Sequence, residues 1–283
     1  MLDHDNINAH SKTLAHTMAM LWTLISRGRW RRSSHKLLIY AGSPASAPLH
    51  DLVQEISDIT SGTYACLPAV IKHNATAGQL AHDLQHVRPS VFAFLGHGDV
   101  SHLNREAPTL GFVNAFGRLD LVERDALIHL LGLHSAARGG SLLLVVLNGC
   151  STLEIGKAVR AVGVPFAICW ATIVDSRVAR QFSKVLFEAL ASLLLETSSF
   201  AEAVSRAFEM AKAEIYLMTK KVVSKSGETL NVPLVAPPNR PPSPTSLAPP
   251  PVASLPVLLC ADDTGGTRGY AEATEYKTEA ERD

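Results

Sequence analysis

The sequence has no excess charge of either sign. Lys plus Arg and Asp plus Glu each number 26 over 283 residues, so no global field recruits nucleic acid or an anionic membrane. Paired cysteines are also missing. Cys66, Cys150, Cys169 and Cys260 lie far apart without a CxxC pair, which argues against zinc ligation or a disulfide framework and points to a reducing, cytoplasmic compartment. No apolar run approaches the roughly 18 residues a membrane-spanning helix needs. The nearest, Leu14 to Ile25, is broken by His16 and Thr17. It lacks the basic start and small-residue cleavage site of a signal peptide and reads as an amphipathic helix. Nucleotide-binding fingerprints are incomplete too. Gly96-x-Gly98 would need a third glycine where Ser101 stands, and no Walker-type Gly-Lys-Ser/Thr occurs. No acidic cluster suggests calcium, so neither a metal nor an organic cofactor is expected.

What is present is an alternation of short apolar runs and amphipathic periods between residues 36 and 221. Leu37 to Tyr40, Cys66 to Ile71, Val91 to Leu95, Leu142 to Asn148 and Pro165 to Trp170 read as strands. Between them, Leu52, Val53, Ile56 and Ile59 mark one helix face, Leu80, Leu84 and Val87 a second, and Leu127, Leu130 and Leu131 a third. Thr76-x-x-Gln79, Ser151-x-x-Glu154 and Ser199-x-x-Glu202 have the spacing of capping boxes. Strands separated by crossover helices predict an α/β fold, a three-layer α/β/α sandwich around a mostly parallel sheet. Residues 99–120 read as a wetter insertion. Residues 1–35 form a helical, basic appendage in which Arg27, Arg29, Arg31 and Arg32 surround Trp30; a solvated helix end explains that cluster better than RNA binding. Ten of the 16 prolines fall between Pro233 and Pro256, and seven acids face three bases from Asp262 onward. Residues 222–283 therefore read as a Pro-rich linker and an acidic, disordered tail, with Leu255 to Cys260 as a candidate isolated docking strand.

Two strands end in a glycine-flanked reactive residue: His97 in Gly96-His97-Gly98, and Cys150 in Gly149-Cys150-Ser151. Parallel sheets expose ligand sites at the carboxyl ends of their strands, so both residues are expected at one edge. A cysteine attacks as thiolate and needs a base; a following helix N-terminus and a neighbouring imidazole supply the setting. Gly98 has no side chain to shield its amide, which with the Cys150 amide is expected to form an oxyanion hole. The histidine precedes the cysteine by 53 residues, and position 148 is asparagine. That order excludes the α/β-hydrolase elbow and matches the caspase arrangement, although the Q-A-C signature of true caspases is absent.

Four blocks then fall in a familiar order: Phe94-Leu95-Gly96-His97-Gly98, Val146-Leu147-Asn148-Gly149-Cys150-Ser151-Thr152, Ala161-Val162-Gly163-Val164-Pro165 and Trp170-Ala171-Thr172-Ile173-Val174-Asp175. Together they resemble a CHAT domain, of the caspase-like cysteine peptidases related to separases and metacaspases, over roughly residues 36–220. The resemblance implies a caspase-like sheet and a cysteine endopeptidase acting on a peptide or protein substrate. By position it makes His97 the base, Cys150 the nucleophile and the Gly98 and Cys150 amides the oxyanion donors. Relatives that cut after Arg or Lys carry an acid two residues before the cysteine, where this chain has Asn148. Asn148, Trp170 and Asp175 are the substrate-pocket candidates, with a helix cap as the other reading of Asp175. CHAT domains often follow helical repeats, and only about 35 residues precede this one. The sensor is therefore expected either to be missing or to be a separate helical-repeat (TPR-type) regulatory partner. The alternative implied by the same resemblance is an inactive CHAT-fold scaffold working with such a partner.

Overall fold

A computed structural model of the chain describes residues 35–63, 67–98, 109–223, 229–235 and 255–260. The N-terminal appendage, Cys66, His102 and most of the Pro-rich and acidic tail lie outside them. From the start of the described region run β1 (Leu37–Ala41), α1 (Leu52–Thr63), β2 (Ala69–His73), α2 (Ala77–Val87) and β3 (Val91–Leu95). A hairpin of β4 (Gly111–Val113) and β5 (Leu119–Leu121), then α3 (Arg124–Leu133), β6 (Leu144–Asn148), α4 (Leu153–Ala161) and β7 (Phe166–Trp170) follow. Two long helices, α5 (Ser176–Glu196) and α6 (Phe200–Tyr216), lead to a hairpin of β8 (Thr219–Val223) and β9 (Thr229–Pro233), and β10 is Pro256–Cys260.

Six strands form one sheet in the order β10-β7-β6-β3-β1-β2, parallel except for β10. The two-residue period of each strand divides its apolar side chains between two cores. Leu37, Ile39, Val91, Ala93, Leu144 and Val146 face α1, α5 and α6. Leu38, Tyr40, Phe92, Phe94, Val145 and Leu147 face α2, α3 and α4. Because both faces are covered, the strands are apolar throughout rather than alternating. The fold is thus the expected α/β/α sandwich. Among the described residues no helix is long and apolar enough to cross a membrane.

Several local expectations shift. Of the predicted α1 face, Leu52, Ile56 and Ile59 are buried but Val53 is 75 % exposed. Of the wet insertion, the described part is a hairpin whose Leu110, Phe112 and Val113 are core residues. The boxes at Thr76 and Ser199 engage their helices: Gln79 Oε1 accepts from the Thr76 amide, and Ser199 Oγ accepts from that of Glu202. The box at Ser151 does not form. Thr152 takes the N-cap position of α4 without a side-chain cap bond, while Glu154 pairs with Lys157. The 222–283 region is also more than linker. Leu234 and Val235 are buried, and β10 covers the β7 edge with Val257 inward. Its Pro256 is the first residue of an edge strand, a position at which the missing N–H costs no ladder bond.

Candidate active site

Strand β1 hands over to α1 on one face of the sheet, whereas the neighbouring β3 continues to α3 on the other. Adjacent strands whose connections leave to opposite faces open a crevice at their carboxyl ends. His97, after β3, borders that crevice, and Cys150 follows β6 on the other side of β3. β3 and β6 pair in parallel with Leu95 opposite Asn148, so His97 and Cys150 stand two residues beyond the last matched pair on adjacent chains.

Glycine makes this approach possible. A Cβ on Gly98 would lie 1.9 Å from the Cys150 carbonyl oxygen and 2.7 Å from its nitrogen. One on Gly149 would meet the Gly96 carbonyl oxygen at 2.7 Å and the Gly98 nitrogen at 2.8 Å. The two turns therefore touch backbone to backbone, and no side chain larger than hydrogen fits between them. Among the described residues, neither the Gly98 nor the Cys150 amide donates a hydrogen bond. Both amides are therefore uncommitted donors beside the Cys150 side chain.

His97 and Cys150 are half-buried, open to solvent on one side. The imidazole is oriented by the loop after β1: Nε2 lies 2.7 Å from the carbonyl oxygen of Ala47. A carbonyl only accepts, so Nε2 carries the hydrogen and Nδ1 is the unprotonated nitrogen of the neutral ring. The loop is itself fixed, since Ala47 N donates to Pro44 O and Ala45 N donates to Gly117 O of the β4–β5 turn. On the cysteine side, Ser151 adopts a left-handed conformation (φ 51°), and its amide donates to Thr172 O in the loop after β7. The buried Thr152 hydroxyl donates to Leu147 O or Gly149 O (3.1 Å each) and accepts from Trp170 N at 3.1 Å. Ala47 and Thr152 were not singled out in the sequence, because each acts through loops that only the fold brings together.

The substrate-pocket candidates are placed differently from the reactive pair. Asn148 is 6 % and Trp170 is 1 % exposed, and they bond each other: Trp170 Nε1 donates to Asn148 Oδ1 at 2.6 Å. Asn148 Nδ2 donates to Glu55 Oε1 at 2.6 Å and to Ser183 Oγ at 2.8 Å. Both residues are buried in the core beneath the site. Asp175 is the N-cap of α5, accepting from Arg177 N, with the Arg177 guanidinium 3.1 Å away. Burial opposes its charge, but these partners hold its carboxyl below the usual range. Its capping duty explains it. Burial pushes the Glu55 carboxyl up to about 7, against the bonds from Ser183 and Asn148 and the charge of Arg180, which favour the ionised form.

The other described cysteines differ in setting. Cys169 is wholly buried in β7, its Sγ 3.8 Å from Val257 O, and burial pushes its thiol up to about 12. Cys260 is half-buried at the end of β10. His129 is exposed, and burial lowers the half-buried His134, so both are surface or packing residues. A cleft of about 880 Å³ lies between β2, α2 and the β4–β5 turn, lined by residues such as His73, Asn74, Gln79 and His82. It contains neither His97 nor Cys150. Among the described residues no group of three His, Cys, Asp or Glu side chains is arranged to hold a metal. No family model matches the chain, and no curated protein is significantly similar to it.

Proposed function

We propose that the chain is a cysteine endopeptidase of the CHAT type, with His97 and Cys150 as its dyad. The observation that carries this reading is the glycine-closed contact of the β3 and β6 turns, which sets an oriented imidazole and a half-exposed thiol on adjoining turns beside two free amides.

In this reaction His97 Nδ1 takes the thiol proton, and Cys150 Sγ attacks the carbonyl carbon of the scissile peptide bond. The carbonyl oxygen becomes an oxyanion held by the Gly98 and Cys150 amides. Collapse of the tetrahedral intermediate breaks the C–N bond, and the imidazolium gives its proton to the departing amine. A thioester remains on Cys150. His97 then deprotonates a water that attacks the thioester, and the returning proton regenerates the thiol as the acid product leaves. No metal or organic cofactor enters these steps. A reducing, cytoplasmic compartment suits such a thiol, and a TPR-type helical-repeat protein is the regulatory partner we infer from the family resemblance. With Asn148 bound into the core, a preference for a basic residue before the cut has no support from that position.

The test is cleavage of a peptide library by the wild-type chain beside Cys150→Ala. Cleavage lost in a variant that melts like wild type supports the reading; equal products from both chains overturn it. One observation favours the scaffold reading instead: a cleft of about 880 Å³ lies apart from the dyad. That reading predicts a stable partner in pull-downs, unaffected by Cys150→Ala, and no cleavage.

A further inference from the structure

Beneath the end of β6 lies a closed polar cluster that the reaction above does not use. Asn148 is its centre. Nδ2 donates to Glu55 Oε1 at 2.6 Å and Ser183 Oγ at 2.8 Å, with Ala179 O at 3.3 Å, while Oδ1 accepts from Trp170 Nε1 at 2.6 Å. The indole N–H can only donate, so the carboxamide has one permitted orientation. Ser183, which accepts from Asn148, also lies beside the Glu55 carboxyl and favours its ionised form. The four side chains come from α1, β6, β7 and α5, and all are buried. Such a network is rigid only while every donor and acceptor in it is matched.

Its position gives it leverage over the site. Asn148 is two residues before Cys150, and the residue between them, Gly149, is packed against Gly96 and Gly98. A change in how Asn148 is held therefore reaches the Cys150 turn across one residue that has no room to absorb it. The charged groups acting on Glu55 are few. Asp51 lies one turn earlier, just before its helix, and Arg180 comes from α5, where it bonds Asp58 at 2.7 Å. β6 and β7 present the neutral Asn148 and Trp170.

We propose that Asn148 and Glu55 are positioning residues for the Cys150 turn, and that the gain or loss of one proton at Glu55 changes how that turn is held. The catalytic consequence rests on the peptidase reading; the positioning itself does not. Ionised Glu55 accepts from Asn148, and the neighbouring Ser183 hydroxyl favours that charged form. Protonation turns one of its oxygens into a donor, so the bonds that hold Asn148 must rearrange. Burial brings this change to about pH 7.

The experiment is the rate of Cys150 alkylation by iodoacetamide, read by mass spectrometry across the neutral pH range for the full chain. Glu55→Gln keeps the length and hydrogen bonding of the side chain but cannot titrate. Ser183→Ala removes the hydroxyl that favours the carboxylate. The wild-type profile is expected to carry an inflection near pH 7 that Glu55→Gln lacks and that Ser183→Ala moves upward; contributions shared by all three chains cancel in the comparison. Superimposable profiles overturn the proposal. Should Glu55→Gln fail to fold, Ser183→Ala decides alone, and an unmoved inflection overturns it. Alkylation needs no peptide substrate. Failure of every chain to cut peptides, with the inflection difference present, sinks the peptidase reading and leaves the positioning role standing.

Discussion

The end of β6 has a rim and a floor, and they are joined in opposite ways. At the rim, Gly96, Gly98 and Gly149 bring two turns together through backbone atoms alone, which leaves the His97 and Cys150 side chains uncommitted to each other's packing. On the floor, Asn148, Trp170, Ser183 and Glu55 bring four elements together through side chains whose polar atoms are engaged in doing so. Reactive groups survive where the backbone makes the contact, and polar groups become structural where the side chains make it. This is why Asn148 and Trp170, so close in sequence to the cysteine and to its neighbouring loop, serve the core.

The comparison breaks most sharply at the rim. His97→Ala is expected to lower peptide cleavage roughly 10²–10⁴-fold, the contribution of a positioned general base, while leaving the melting transition near wild type; steady-state kinetics beside a thermal melt checks both. Gly98→Ala forces a methyl group into the Cys150 carbonyl, at a built distance of 1.9 Å. Misplacement by about 1 Å costs on the order of 10²-fold in rate, so an unchanged kcat/KM in this variant would mean that the turns need not touch.

The rim was legible in the sequence because its signals are local. An apolar run, a glycine and a reactive residue occur together within eight positions, once at His97 and once at Cys150, and parallel pairing of two such strands supplies the rest. The layer order was legible for the same reason: apolar runs and capping spacings are short-range. The floor was not. Asn148 meets Glu55 across 93 residues and Ser183 across 35, and nothing near Glu55 in the sequence distinguishes it from a surface glutamate of an amphipathic helix. The failed box at Ser151 has a similar cause, because the Thr172 carbonyl in another loop takes the Ser151 amide and draws that residue into a left-handed turn. For β10 only an isolated strand was legible, because its apolar run is short and stands among prolines, and the open edge of β7 gives it a place.

The floor yields smaller effects. Glu55 is raised from 4.5 to about 7, so folding favours its neutral form. The stability this gives is complete below about 4.5 and is lost as pH rises through about 7. Glu55→Gln escapes that loss, so its stability relative to wild type is expected to climb between those values, by at most about 3 kcal/mol; denaturant melts at acidic and mildly alkaline pH measure it, and a constant difference would contradict the buried titration. Trp170→Phe keeps the ring but strips Asn148 Oδ1 of its donor. It is expected to cost about 1–3 kcal/mol, seen as a lower denaturation midpoint at unchanged slope.

The most direct measurement is a time course of iodoacetamide labelling resolved at each cysteine, in the wild-type chain and in His97→Ala. Cys150 is predicted to label first, well ahead of the buried Cys169, whose thiol is pushed up to about 12, and to lose that lead when the imidazole is removed. Uniform labelling, or a Cys150 rate indifferent to His97, would contradict a working pair of imidazole and thiol at this rim.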